Sequence, residues 1–128
     1  MEFLKDDHVT VNPLRIKPWI IEELQASLLL FYTGASRSSA KIIDEQRKNT
    51  RENKTAAIEA MHKIKQSAID MKTAILRGDL QSFATILGQA WEDKKKMATS
   101  ITNPMIQKAF DTALEAGAIA GLNVLRIV

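Results

Sequence analysis

The stretch from Ser39 to Arg77 restricts the fold more than any other part of this sequence, because its pattern is that of a helix. Apolar residues recur in it at steps of three and four, with charged residues between them. The stripe consists of Ala57, Met61, Ile64, Ala68, Met71 and Ile75. One very long helix or two helices in line fit this pattern. For the almost wholly polar segment from Arg47 to Lys54 the sequence leaves three alternatives open: a solvated helix, a break between helices or a flexible lid.

Two further helices are predicted after Ser39 to Arg77. Gly78 is a typical C-terminal glycine, and Asp79 is an acidic N-cap for the next helix. That helix and the residues after it are expected to direct Leu80, Phe83, Leu87, Trp91 and Ile101 toward a core, with residues 92–96 facing water. Asn103 caps the third helix, whose expected packing side is Met105, Ala109, Phe110, Ala113, Leu114 and Ala116. Gly117 and Gly121 end it, and residues 122–128 are a candidate strand.

The front third of the chain predicts a β-α-β order. Residues 9–11 and 14–16 are rich in aliphatic and β-branched side chains around Pro13, which allows only an edge strand or a bent one. Pro18 opens a short helix. The run from Ser27 to Thr33 is short and almost continuously apolar, which is typical of a buried strand with both faces covered. Together with the helices, these strands predict an α+β domain.

Composition and charge exclude several classes of function. The chain has no cysteine, which excludes disulfide scaffolds, cysteine-ligated metals and thiol nucleophiles. Its net charge is only +3, and no aromatic residue lies among the basic residues from Arg47 to Lys54, which argues against nucleic-acid binding. The longest apolar run, Leu28 to Tyr32, is far shorter than the roughly 20 residues of a membrane span. The first residues are acidic, unlike a signal peptide, so we expect a cytoplasmic protein without a membrane partner.

The turn from Gly34 to Ser39 is the one segment that looks built for binding. Serine hydroxyls, backbone N–H groups and Arg37 at the entry to a helix suit phosphate or carboxylate. Ordinary N-capping by serine explains the same residues. Asp44 and Glu45 follow, and either orient Arg37 or ligate magnesium, or simply compensate the helix dipole. The two histidines lie in no metal-binding or catalytic spacing, so no catalytic or metal residue is assigned.

Three segments resemble the C-terminal half of GHMP kinases. They are Val11 to Ile16, Leu28 to Ser39 and Ile42 to Gln46. The run from Asn103 to Gly121 is similar to the helix that precedes the glycine-rich third motif of that family. Within the family, the likeness is greatest to bacterial kinases of a heptose 7-phosphate. The Thr-Gly-x-Ser-Arg turn is fairly specific, whereas the helical part is generic.

The resemblance implies a ferredoxin-like C-terminal domain over residues 1–128, with a small, partly truncated antiparallel sheet backed by helices. It places the turn beside the substrate cleft, and the implied substrate-binding residues are Thr33, Gly34, Ser36, Arg37 and Ser39. Ser36 and Arg37 would touch the sugar phosphate or the transferring phosphoryl group. The full enzyme would be a transferase that uses ATP and Mg²⁺.

Two departures from the family pattern predict a fragment. The family's nucleotide phosphate loop and catalytic aspartate lie in an N-terminal half that is missing here, and no glycine follows Gly121. We therefore expect the chain to bind no cofactor and to be inactive by itself. The alternative is a non-catalytic helical interaction module, for which a homodimer is one way to cover an open sheet edge.

Overall fold

The computed structural model describes residues 1–32, 39–52 and 54–121. Within these residues the chain is mostly helical and has one two-stranded antiparallel sheet, which confirms the α+β class. The strands are β1 (Glu2–Phe3) and β2 (Val9–Thr10). The α-helices are α1 (Pro18–Ser27), α2 (Ser39–Arg51), α3 (Thr55–Arg77), α4 (Leu80–Lys95) and α5 (Pro104–Glu115). A 3-10 helix at Thr99–Ile101 connects α4 to α5.

The sheet is a small N-terminal hairpin. Phe3 pairs with Val9, and the backbone N–H of Leu4 donates to the carbonyl of His8 at 2.9 Å. Asp7 has a positive φ of 62°, which lets the chain reverse between the strands. Both strands are exposed. The predicted first extended element is therefore found at Val9–Thr10, while residues 14–16 form no strand.

The predicted buried strand at the end of α1 is wrong for the described residues 28–32. These residues follow α1 without forming a strand. Leu29 and Leu30 are 98% and 99% exposed, and Phe31 and Tyr32 are each 82% exposed. The pattern identifies a segment that can be buried on both faces, but burial needs neighbouring strands and layers. No described element of the chain provides them.

Of the two alternatives for residues 39–77, one long helix or two, the structure shows two helices. α2 continues through the polar segment to Arg51, and α3 begins after Lys54, whose backbone is extended. The Lys54 N–H donates to the Asn49 carbonyl at 3.1 Å, and the Lys54 ammonium donates to the Asn49 side-chain oxygen at 2.8 Å. The backbone of Lys54 thus gives one carbonyl near the end of α2 a partner, and a contact between the two side chains reinforces the junction.

A tight connection at Gly78 and Asp79 joins α3 to α4, as the sequence predicts. Gly78 is left-handed, with φ of 76°, and Asp79 accepts a hydrogen bond from the Ser82 N–H at 3.0 Å. α3 packs mainly against α4. Trp19 and Ile20 of α1 lie against Gly78, where a Cβ atom would be only 2.7 Å from Cη2 of Trp19. The absence of a side chain therefore lets α1 approach the connection.

The main apolar core lies where α2, α4, the 3-10 helix and α5 meet. Its buried members are Ile42, Trp91, Ala98, Ile101 and Ile106, with Met97 and Phe110 packed against them. The rings of Trp91 and Phe110 are stacked, with centroids 4.9 Å apart. This core confirms the predicted placement of Trp91 and Ile101. On α5, however, the buried residue is Ile106, whereas Met105 is half exposed.

Asp93 contradicts the expectation that residues 92–96 all face water. It is only 2% exposed, and the Lys96 ammonium donates to its carboxylate at 2.7 Å. That hydrogen bond lowers the pKa of Asp93, and the charge of Lys63 on α3 acts in the same direction. Asp93 lies about 200° around the helix from Trp91. α4 is therefore buried on two sides, and a single apolar stripe describes only one of them.

Candidate functional site

The predicted binding turn falls almost wholly outside the described residues. This applies to Thr33, Gly34, Ser36 and Arg37, whereas Ser39 is the first residue of α2. The described residues that flank the turn are residues 28–32, which follow α1, and the first turns of α2. Ile42, one turn into α2, is 3% exposed and belongs to the main core. The helix that follows the turn is thus anchored to the rest of the chain.

The side chain of Glu45 connects α2 to the 3-10 helix before α5. One carboxylate oxygen accepts hydrogen bonds from the Thr99 N–H at 2.7 Å and from the Thr99 hydroxyl at 2.8 Å. The other accepts from the Ser100 N–H at 3.2 Å and from the Ser100 hydroxyl. Four donors thus converge on one side chain. These hydrogen bonds, led by the Ser100 and Thr99 hydroxyls, lower the pKa of Glu45 from 4.5 to about 2.

These contacts change the interpretation of Asp44 and Glu45. Both oxygens of Glu45 accept hydrogen bonds from Thr99 and Ser100, whereas Arg37 lies outside the described residues. The first turn of α2 contains no acidic residue, because the helix begins at Ser39, so dipole compensation does not explain the pair. Sequence reasoning missed this site because Thr99 and Ser100 lie 54 and 55 residues after Glu45 in the chain.

Replacing Glu45 with glutamine is expected to lower the free energy of unfolding by about 1 kcal/mol at pH 7. The glutamine oxygen can still accept hydrogen bonds from one of the two residues, Thr99 or Ser100. The NH₂ group is itself a donor and cannot accept the hydrogen bonds of the other residue. The folded pKa of Glu45 is depressed, so its stabilising effect is present above pH 4.5 and is lost as the pH falls to about 2. Urea unfolding at several pH values between 7 and 2 measures both effects.

Asp44→Asn is the matched control for this prediction. Asp44 is exposed and forms no hydrogen bond or ion pair with another described residue. Its replacement should change stability by less than about 0.5 kcal/mol. A Glu45→Gln variant that keeps the parent's stability at pH 7, or that differs from the parent equally at pH 7 and pH 2, would contradict the role assigned to the carboxylate.

A second charged surface lies further along α2. Asp44, Arg47, Lys48, Arg51 and Glu52 line a shallow groove. Glu52 pairs with Lys48 at 3.9 Å and with Lys54 at 3.3 Å. Arg47 lies about 12 Å along the helix axis from Ser39. The groove thus has three cations and two carboxylates along α2.

The described residues contain no cluster of three or more acidic or histidine side chains able to hold a metal ion. In the same part of the chain, every helix is too short or too polar to cross a membrane. His8 is close to Asp6, at 3.1 Å between Nδ1 and a carboxylate oxygen, but both side chains are exposed in the hairpin turn. This contact is an exposed surface pair.

Comparison with known proteins identifies relatives with related activities. No protein-family model matches this chain. D-glycero-alpha-D-manno-heptose 7-phosphate kinase from Campylobacter jejuni is 41% identical over 121 residues, which cover 94% of this chain and 35% of that kinase. L-fucokinase/L-fucose-1-P guanylyltransferase from Bacteroides fragilis is 29% identical over 105 residues, which cover 82% of this chain and 10% of that protein.

Both relatives carry a sugar kinase activity in their names, and both are much longer than this chain. The chain spans about a third of the first and a tenth of the second. The aligned residues include nearly the whole chain in the first comparison. The resemblance indicated by the sequence is therefore confirmed: over nearly its whole length, this chain is related to part of a sugar kinase.

Proposed function

We propose that this chain is the C-terminal, substrate-side domain of a GHMP-type sugar-phosphate kinase. The observation that carries the proposal is the 41% identity over 94% of the chain to a heptose 7-phosphate kinase. The full enzyme would transfer the γ-phosphoryl group of ATP, with Mg²⁺, to a hydroxyl of a heptose phosphate in the cytoplasm. The domain would have the ferredoxin-like arrangement of that family.

In this proposal the turn before α2 recognises the sugar phosphate. Thr33, Gly34, Ser36, Arg37 and Ser39 supply hydroxyls, backbone N–H groups and a guanidinium. Phosphoryl transfer depends mostly on positioning and on neutralising charge, and an arginine at a helix entry provides both. The buried Ile42 and the Glu45 contacts support this assignment, because they fix the helix that follows the turn.

The test has a binding arm and an activity arm. Titrating the chain with D-glycero-D-manno-heptose 7-phosphate should shift the backbone NMR signals of residues 34–39. Coexpression with the remainder of the Campylobacter kinase should restore ATP-dependent phosphorylation, while the chain alone stays silent. Phosphorylation by the purified chain alone, or a titration that leaves residues 34–39 unchanged, would count against the proposal.

Arg37→Ala should abolish the NMR shifts and reduce phosphorylation by the reconstituted kinase on the order of 100-fold to 1,000-fold. The reason is the loss of the one cation in the turn. Arg77→Ala is the matched control, because Arg77 ends α3 and is exposed. If the two variants have equal activity, Arg37 does not bind the substrate.

One observation favours a second candidate, a non-catalytic interaction module or homodimer. The run from Leu28 to Tyr32 is exposed in the chain, and an apolar run of this kind favours association. Light scattering over a range of concentrations tests it, since a homodimer would raise the apparent mass with concentration. A monomer at all concentrations would argue for the kinase domain.

A further inference from the structure

Three side chains on one face of α2 meet the same short part of the chain, residues 97–101. Ile42, Glu45 and Asn49 are spaced three and four residues apart, which places them within about 60° of one another around the helix. Ile42 belongs to the same apolar core as Ala98. The two polar side chains both make hydrogen bonds to this part of the chain. One face of α2 is therefore fitted to residues 97–101.

Asn49 adds a contact of the opposite kind to those of Glu45. Its side-chain Nδ2 donates to the Met97 carbonyl at 2.8 Å, and its Oδ1 accepts from the Lys54 ammonium at 2.8 Å. Because an ammonium group only donates, this second contact fixes which end of the amide faces Met97. Glu45 accepts from backbone N–H groups two and three residues further on. The helix is thus bonded to a carbonyl and to two N–H groups of the same segment.

These contacts fix α2 along its own axis. Apolar burial is non-directional, so a core residue alone permits a small slide of the helix. A hydrogen bond is more restrictive, because the donor and acceptor must stay within about 0.3 Å of their best distance. Glu45 and Asn49 lie about 6 Å apart along the helix axis, so a slide or a tilt of α2 breaks at least one set of contacts. The place of the helix start depends on both residues.

The start of α2 is the described part of the proposed substrate site. Ser39 is the first residue of the helix, and it lies about 9 Å along the axis from Glu45 and about 15 Å from Asn49. These separations are longer than a hydrogen bond, and the polar atoms of both side chains already bond within the chain. Their effect on a ligand at Ser39 must therefore pass through the helix.

We infer that Glu45 and Asn49 are positioning residues, which hold the start of α2 in place for the sugar phosphate. This inference rests on the proposed function, because it takes the helix start as part of the substrate site. A misplacement of groups in such a site by about 1 Å costs on the order of 100-fold in rate. In the proposed enzyme the loop that holds ATP lies outside this chain, so ATP binding should not depend on α2.

Glu45→Gln and Asn49→Asp test the inference. Asn49→Asp is nearly isosteric and keeps an acceptor for Lys54, but it removes the donor to the Met97 carbonyl. In the reconstituted kinase each variant should raise the KM for D-glycero-D-manno-heptose 7-phosphate on the order of 10-fold and leave the KM for ATP unchanged. In NMR titrations of the 128-residue chain, each should weaken binding of the same sugar phosphate by a similar factor.

Asp79→Ala is the control for a merely structural effect. It removes the hydrogen bond from the Ser82 N–H at the start of α4, so it should lower the urea midpoint about as much as Glu45→Gln does. Asp79 follows the end of α3, a helix about 35 Å long whose other end lies next to α2. This variant should keep the parent's KM for both substrates. Loss of folded protein alone lowers the measured activity and leaves both KM values unchanged.

Urea unfolding of every variant shows which of them fold. If Asn49→Asp is unfolded, Asn49→Ala removes the same donor without adding a charge. Folded variants of Glu45 and Asn49 that keep the parent's KM for the sugar phosphate would overturn the inference and leave the proposed function intact, as would an equal rise in the KM for ATP. If the parent chain neither binds the sugar phosphate nor restores phosphorylation, the inference and the proposed function fail together.

Discussion

Trp91→Ala is expected to lower the free energy of unfolding by about 3–5 kcal/mol, because it empties the centre of the main core. Trp91 is 3% exposed and stacks on Phe110, with ring centroids 4.9 Å apart. A domain of this size has a stability of only about 5–15 kcal/mol, so the loss is a large part of the total. Urea unfolding followed by far-ultraviolet circular dichroism measures it without relying on tryptophan fluorescence.

Two variants make this prediction specific. Trp91→Phe keeps an aromatic ring against Phe110 and removes an indole N–H that has no acceptor among the described residues. Its expected cost is below about 1.5 kcal/mol. Trp19→Ala removes a tryptophan that is 50% exposed, and should cost about 1 kcal/mol. Equal losses from Trp91→Ala and Trp19→Ala would contradict the assignment of Trp91 to the core.

Gly78→Ala is expected to lower the free energy of unfolding by about 2–4 kcal/mol. Its φ of 76° disfavours any residue with a Cβ atom, and that atom would lie 2.7 Å from Cη2 of Trp19 and 3.2 Å from Cδ1 of Ile20. Trp19 can move because it is half exposed, but Ile20 is only 1% exposed. The variant should therefore loosen α1 from the connection between α3 and α4. Thermal unfolding gives the stability, and fluorescence in the folded state reports on Trp19.

Gly117→Ala separates the cost of the left-handed backbone from the cost of the contact with α1. Gly117 also has a positive φ, of 100°, but a Cβ atom there meets nothing within 4 Å. Its replacement should cost about 1–2 kcal/mol from the backbone alone and should leave the Trp19 fluorescence unchanged. If both alanine variants lose the same stability and neither alters the fluorescence, the contact of α1 with Gly78 contributes nothing.

The local signals in the sequence predict the helix boundaries well. Asp79 and Asn103 both act as N-caps, accepting hydrogen bonds from Ser82 and Ile106, and Gly78 adopts the expected left-handed conformation. These features depend on residues within a few positions of one another. Capping and turn chemistry are therefore visible without knowledge of tertiary structure.

Contacts between distant parts of the chain were not predictable in the same way. Asp93 belongs to a charged run but is buried on α4, the helix that packs mainly against α3. Glu45 binds Thr99 and Ser100, which nothing in its local sequence indicates. Residues 28–32 show the converse: their apolar pattern predicts burial, but they are exposed and no described part of the chain covers them. The candidate substrate turn itself, from Thr33 to Arg37, lies outside the described residues and remains a prediction from the sequence.

The connection at Gly78 and Asp79 also bears on the order in which the chain folds. Packing α3 against α4 brings together residues that are close in sequence, so the entropy lost in closing the loop between them is small. Docking α2 through Glu45 closes a loop of 54 residues and costs more. We therefore expect the pair α3 and α4 to form early and to serve as the surface on which α2 docks later. Local opening of the folded chain should then begin at α2, the helix that carries the candidate turn at its start.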